Sequence, residues 1–209
     1  MSSFDKLQQL LTELPGIGPR QAQRFATFLT RKNSAYINQL IHALNDTRSH
    51  MKLCTDSYML FYATDPKQTL SPIARDTNRE KSQLLIVEKD VDVTQIERSN
   101  SYHGHYFVIG GTVPFVESDP KQQIRLNELK AVIERKVPEG LNEIILGLSA
   151  TPESEHTAAI LKAELQPIAE KNTLTISTLG RGLSTGTELE YSDENTIKYA
   201  LKNRQSSGQ

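Results

Sequence analysis

The chain has 209 residues, 37% of them hydrophobic, and its 24 Lys and Arg against 25 Asp and Glu leave a formal net charge of −1. That length admits one large domain or two small ones with an ample core, and the neutral balance gives no bulk attraction for a polyanion. No apolar run approaches the about eighteen residues of a membrane span, no leader-like segment precedes Phe4, and the single Cys54 excludes an internal disulfide, so a cytoplasmic protein without a membrane partner is expected.

Phe4, Leu7, Leu10, Leu11 and Leu14 recur at helical spacing and predict a first helix, which Pro15 ends. Gly16 and Gly18 then permit a tight turn and leave no Cβ between backbone and ligand, while Pro19 is pre-set for the first position of a second helix. The free N–H groups at such a helix start attract an anion. Arg20 and Arg24 share one face of that helix. Between Glu13 and Asp46 there is no acidic residue, and Arg20, Arg24, Arg31, Lys32 and His42 fall in that interval. Leu14 to Ala26 therefore reads as a hairpin that binds nucleic-acid backbone through Gly16, Gly18, Arg20 and Arg24, without reading base sequence. The plainer alternative is an ordinary helix–turn–helix corner with a solvated basic face.

Ala35 to Leu44 predicts a third, amphipathic helix through Ile37, Leu40, Ile41 and Leu44. From His50 to Gln83 the period is lost, and the aromatic cluster Tyr58 to Tyr62, Asp65-Pro66 and Ser71-Pro72 suggest a short two-stranded or irregular module and a linker. Strands and helices then alternate. Strands are expected at Leu84–Val87, Tyr106–Ile109, Glu143–Leu148 and Leu174–Ser177, with helices from Asp92, over Arg125–Arg135 and over Ser154–Ala169. Uninterrupted apolar strands separated by helices predict an α/β fold with a mainly parallel sheet covered on both faces. The tail from Gln205 to Gln209 is polar and expected to fray.

Ligands of such sheets sit at the carboxyl ends of the strands. Glu88 follows the first strand, and Glu153 and Glu155 follow the third; three convergent carboxylates could hold magnesium, although acids at helix starts also serve simply as caps. Asp90 and Asp92 read as solvated or helix-starting. Tyr102 and Tyr106 have no base placed beside them by spacing, His103 and His105 share one side of a strand in a pattern more typical of structure than of metal ligation, and no catalytic residue is assigned. No glycine precedes a lysine, so there is no phosphate-binding Gly-x-x-x-x-Gly-Lys loop, and Gly180 to Gly186 reads as an extended, bending connection.

Taken together, five motifs in order resemble the RecR family of bacterial recombination mediators. They are Leu14 to Ala26; Ile86-Val87-Glu88 with Asp92-Val93 and Ile96-Glu97; Tyr102 to Gly111; Thr151 to Glu155 with Thr157-Ala158; and Arg181-Gly182-Leu183 through Gly186, Leu189-Glu190-Tyr191, Asp193 and Thr196. The resemblance implies a helix-hairpin-helix unit over 1–48, a small middle module over 49–82, a Toprim-like domain over 83–178 and a C-terminal assembly segment with a final helix over 179–209. It also implies a non-enzymatic homo-oligomer, dimer or tetramer, that binds single- and double-stranded DNA junctions or gaps and works with RecO-like and RecA-like proteins. Arg20 and Arg24 stand where the family's DNA-contacting basic residues stand, and Glu88, Glu153 and Glu155 on the Toprim acidic positions. The departures are local. The family's middle module carries four zinc-binding cysteines; here Cys54 remains, Ser57 follows it, and Ser71 to Ala74 holds none, so no zinc is expected and the Tyr58–Tyr62 cluster is expected to pack in its place. Ser149 stands where the family usually has Asn, Ser184 where it usually has Pro, and Pro114 to Asp119 lacks its glycine-rich loop. Two rival readings are a magnesium-dependent Toprim nuclease or primase-like enzyme and a diverged paralogue serving only protein interaction.

Overall fold

The structure, a computed structural model, describes residues 1–116, 123–180, 183, 186, 188–192 and 194–203. The chain divides into two compact units, Met1–Met51 and Lys52–Gln209. No helix among the described residues is long and apolar enough to cross a membrane.

The first unit is three helices, α1 (Ser3–Thr12), α2 (Pro19–Thr30) and α3 (Ser34–His50). A capping box starts α1: the Ser2 hydroxyl accepts from the Asp5 N–H at 3.2 Å while the Asp5 carboxylate accepts from the Ser2 N–H at 2.8 Å. Pro15 and Gly16, the latter at φ +77°, turn the chain back, closed by an N–H of Ile17 donating to the Leu14 carbonyl at 3.1 Å. Ala22 and Ala26 are the buried residues of α2, and their small side chains let α2 approach α1 closely. No residue of α3 is buried. It also runs past the expected end at Leu44, because its last turns are polar throughout and show no apolar period, while Arg48 and His50 suit a helix C-terminus.

The second unit begins with a two-stranded ribbon, β1 (Met51–Leu53) and β2 (Leu60–Tyr62), and a short helix, α4 (Pro72–Arg75). Its small core is Cys54, Phe61 and Ala63, with Leu70 and Ala74 against it; the Cys54 thiol accepts backbone N–H groups of Ser57 at 3.5 Å and Ser71 at 3.3 Å. The aromatic cluster does not act as one body. Phe61 is buried, Leu60 and Tyr62 are exposed, and Tyr58 turns away to pack on Phe107 with ring centroids 5.1 Å apart.

A four-stranded sheet follows in the order β4-β3-β5-β6, formed by β3 (Glu80–Val87), β4 (Gly104–Val108), β5 (Glu143–Leu146) and β6 (Thr175–Thr178), all parallel. Alternation along β3 divides the core. Leu84 and Ile86 face α6 (Leu126–Lys136) and α7 (Pro152–Asn172), where Leu129, Ile133, Leu161 and Leu165 are fully buried. Leu85 and Val87 face the other way, with Val93 of α5 (Asp90–Ser99) and with Met59 and Ile73 of the middle module. A parallel sheet covered on both faces is the outcome its apolar strands predict. β3 begins earlier than its apolar run, at Glu80, with a register irregularity between Glu80 and Leu84. The last helix, α8 (Glu194–Lys202), ends the described chain.

Candidate nucleic-acid interface and the acidic sheet edge

The hairpin places its predicted residues on one small surface. Gly18 is the N-cap of α2, in extended conformation, with no side chain to accept from the first turn, and its carbonyl takes the N–H groups of Gln21 at 3.0 Å and Ala22 at 2.9 Å. Pro19 occupies the first helical position and Arg20 the second, so the arginine begins where the helix dipole is positive. Arg20 and Arg24 are both exposed, one turn apart. Backbone donors, a helix start and two solvated guanidiniums on one ridge suit a phosphate rather than a base edge.

Sequence reasoning missed the aromatic continuation of that ridge. Phe25 and Phe28 are 42% and 48% exposed. A cavity of about 410 Å³ is lined by Gln21, Arg24, Phe25 and Phe28, and a second of about 350 Å³ by Gln23, Arg24, Thr27, Phe28 and Arg31. The signal was in the spacing, since Gln21, Arg24, Phe25 and Phe28 recur at i, i+3, i+4 and i+7 beside the buried Ala22 and Ala26.

At the carboxyl edge of the sheet the three acids do not behave alike. Glu88 is buried at the end of β3 and its carboxylate accepts the Ser149 N–H at 2.8 Å and the Ser149 hydroxyl at 3.3 Å. Gly147 allows this approach: a Cβ there would lie 2.8 Å from the Leu85 side chain and 3.2 Å from the Ile86 carbonyl. Glu153 and Glu155 are exposed in the first turn of α7, which Thr151 caps through the Ser154 N–H at 3.3 Å. Among the described residues no group of three or more His, Cys, Asp or Glu comes together as a metal site. Glu88 thus joins β3 to the loop after β5. Glu88→Ala is expected to cost about 1–3 kcal/mol in urea denaturation, since it orphans the Ser149 N–H, whereas Glu153→Ala should stay within about 0.5 kcal/mol.

The other candidate groups are structural in geometry. The Tyr106 hydroxyl donates to Glu97 at 2.6 Å, and Arg79 pairs with the same carboxylate and donates to the Gly104 carbonyl at 2.9 Å. Burial first, then Glu97, raises the Tyr106 phenol well above its ordinary value; burial does the same to Tyr102, whose hydroxyl donates to the His105 carbonyl at 2.9 Å. Both phenols stay protonated. His103 is exposed and His105 half-buried, with burial holding the His105 imidazole below its usual value. The Asp92 carboxylate accepts the Lys89 N–H at 2.8 Å at the start of α5, as a helix starter should. Asp90 instead reaches the Leu60 N–H at 2.7 Å and ties the ribbon to α5, a contact across the fold that spacing does not reveal.

Comparison with known proteins covers nearly the whole chain. Residues 4–48 match the family model described as RecR, helix-hairpin-helix, residues 82–179 that of the Toprim domain, and residues 182–205 that of RecR, C-terminal. Recombination protein RecR of Dehalococcoides mccartyi strain 195 is 34% identical over 204 residues, covering 97% of this chain and 94% of that protein. The chain belongs to the RecR family. Recombination protein RecR of Legionella pneumophila strain Philadelphia 1 is likewise 34% identical, over 98% of this chain and 96% of its own, and that of Chloroflexus aggregans 31%, over 95% and 91%. The RecR hairpin is thus the α1–α2 corner, and the RecR Toprim domain the four-stranded sheet with its helices. Of the expected RecR C-terminal motif, Arg181, Gly182, Ser184, Thr185 and Asp193 lie outside the described residues, as do Glu117 to Gln122 of the loop before α6 and the tail from Arg204.

Proposed function

We propose that this chain is a non-catalytic, DNA-binding scaffold of recombinational repair, whose helix-hairpin-helix unit grips sugar–phosphate backbone through Gly16, Gly18, Arg20 and Arg24. One observation carries the reading. The hairpin and α2 form an exposed surface on which cations are set at a helix start, within the stretch between Glu13 and Asp46, which holds no carboxylate. Kinship with recombination proteins supports a role in recombination; the reading extends it to gapped or junction DNA and to work alongside RecO-like and RecA-like proteins in the cytoplasm.

A single hairpin with two arginines binds weakly, so the scaffold works as a homo-oligomer in which several hairpins act with high effective concentration. The surface of the first unit favours this. Leu10, Leu14, Leu40, Ile41 and Leu44 are 36% to 63% exposed in a unit whose buried residues are Ala22 and Ala26. An aliphatic surface of that kind calls for a second copy. The function requires neither zinc nor magnesium; the Glu88 carboxylate already serves Ser149.

Light scattering with and without a gapped duplex tests assembly and binding together: a dimer or tetramer mass that rises on adding DNA is expected, and a monomer that does not shift overturns the reading. In EDTA, binding should persist and weaken steeply with salt, by about a thousandfold between 50 and 200 mM if roughly six phosphates are contacted. A nearly salt-independent isotherm would remove the backbone from the account.

A further inference from the structure

The exposed large apolar side chains of α2 and α3 are of two kinds. Those along α3 after Tyr36 are aliphatic, Leu40, Ile41 and Leu44, while those on α2 and at the start of α3 are aromatic, Phe25, Phe28 and Tyr36. The aromatic ones are interleaved with cations. Arg24 lies beside Phe25 and Phe28 in one cavity, Arg31 beside Phe28 in the next, and the Lys32 ammonium sits 4.4 Å from the Phe28 ring centroid and 5.3 Å from that of Tyr36. Phe28 and Tyr36 meet edge to face at 6.4 Å. Alternating rings and cations without a carboxylate are a poor contact for another copy of the same strip, because like charges would be brought together. They are complementary to a polyanion that also presents π-faces. In a duplex those faces are stacked on one another and only the backbone is offered; in a single strand they are free.

We propose that the strip Arg24–Phe25–Phe28–Arg31 binds single-stranded DNA by stacking unpaired bases on Phe25 and Phe28, with the two guanidiniums on the neighbouring phosphates. This rests on the hairpin being a DNA-backbone site and gives that site a preference: the hairpin end of α2 holds phosphate of any strand, and the aromatic end selects the strand that lacks a complement. On gapped DNA the two ends of one helix would then meet the two halves of the junction.

Fluorescence anisotropy of the full chain decides it, using a labelled oligo-deoxythymidine strand, an abasic strand of the same length and a duplex. Phe25→Ala with Phe28→Ala should weaken binding to the thymidine strand at least about fivefold, the lower bound for one lost base stack, and leave the duplex within about twofold. Wild-type protein should bind the abasic strand about as weakly as the variant binds the thymidine strand, a comparison that needs no variant to fold. Phe28→Trp should retain or strengthen single-strand binding. An abasic strand bound as tightly as thymidine, an equal loss on all three probes, or a fall in the variant's mass by light scattering, which would make the strip a contact between copies, overturns the proposal. Arg20→Glu with Arg24→Glu separates the two ideas. If that change leaves DNA binding intact, the backbone site itself fails; if it abolishes binding while the ring truncations and the abasic strand change nothing, the stacking strip alone fails.

Discussion

Asp56→Ala should lower the stability of the second unit by about 3–5 kcal/mol, the usual cost of stranding a buried charge. One Asp56 carboxylate oxygen accepts from Arg135 at 2.6 Å and the other from Lys136 at 2.8 Å. The two cations are not equivalent. The Lys136 side chain is 6% exposed and that of Arg135 is 51% exposed, so loss of the carboxylate leaves the lysine ammonium desolvated while the arginine returns to water. Arg135→Ala should therefore cost less than about 1 kcal/mol, and Asp56→Asn combined with Lys136→Met should recover much of what Asp56→Asn loses. Acid sensitivity follows from the same triad. Burial alone would push the Asp56 carboxyl up, but Lys136 and then Arg135 outweigh it and hold it below its ordinary value of 3.8. A carboxyl depressed by folding contributes stability that is fully present above its unfolded pKa and is lost as pH falls through its folded one. Urea denaturation across pH should show wild type losing stability below about pH 4, with that part of the acid limb missing in Asp56→Asn. A limb of unchanged steepness would show that the triad is not what acid dissolves.

Reversing Arg20 and Arg24 to glutamate should abolish DNA binding in gel shifts at low salt while circular dichroism is unchanged. Both side chains are exposed, so no packing is lost. At the second position of α2 a glutamate is favoured by the helix dipole, so the variant should be as stable as the parent or slightly more so. Stability and binding then move in opposite directions, which separates a direct contact from damage to the fold. Each substitution also changes the sign of a charge, and in the proposed homo-oligomer that change would be repeated in every copy. The deficit should widen as the salt is lowered, because the variant releases fewer counterions and its reversed charges are less screened. Unchanged shifts would refute these arginines as the contact.

The parts legible beforehand were those whose cause is local. Leu84 to Val87 announces a strand buried on both faces because a parallel sheet puts no residue in water, and Pro15, Gly16, Gly18 and Pro19 announce the hairpin because each restricts or frees a backbone angle. The charge asymmetry of the first unit was also plain, being a matter of residue type. What escaped depends on partners distant in sequence. Asp56 meets Arg135 and Lys136 across 79 and 80 positions, and Asp90 meets Leu60 across 30. Nothing in the run Asp56-Ser57-Tyr58 hints at either. Glu88 was noticed for its place after a strand, but its bond to Ser149, beside a glycine whose need to be glycine arises only in three dimensions, was not visible. The aromatic ridge on α2 lay between, since its spacing was visible and its exposure was not.

Arg125 donates at 3.0 Å to the carbonyls of both Tyr58 and Val108, the Val108 N–H donates to the Ser57 carbonyl at 2.8 Å, and Asp90 holds the Leu60 N–H. The ribbon module, whose own core is three buried residues, is in this way stitched to the sheet through its backbone. It is expected to melt together with the sheet. Hydrogen exchange at Tyr58 and Leu60 should keep pace with exchange in β4, so the ribbon and the sheet behave as one cooperative foldon, and whatever the ribbon presents to a partner is held as rigidly as the sheet that backs it.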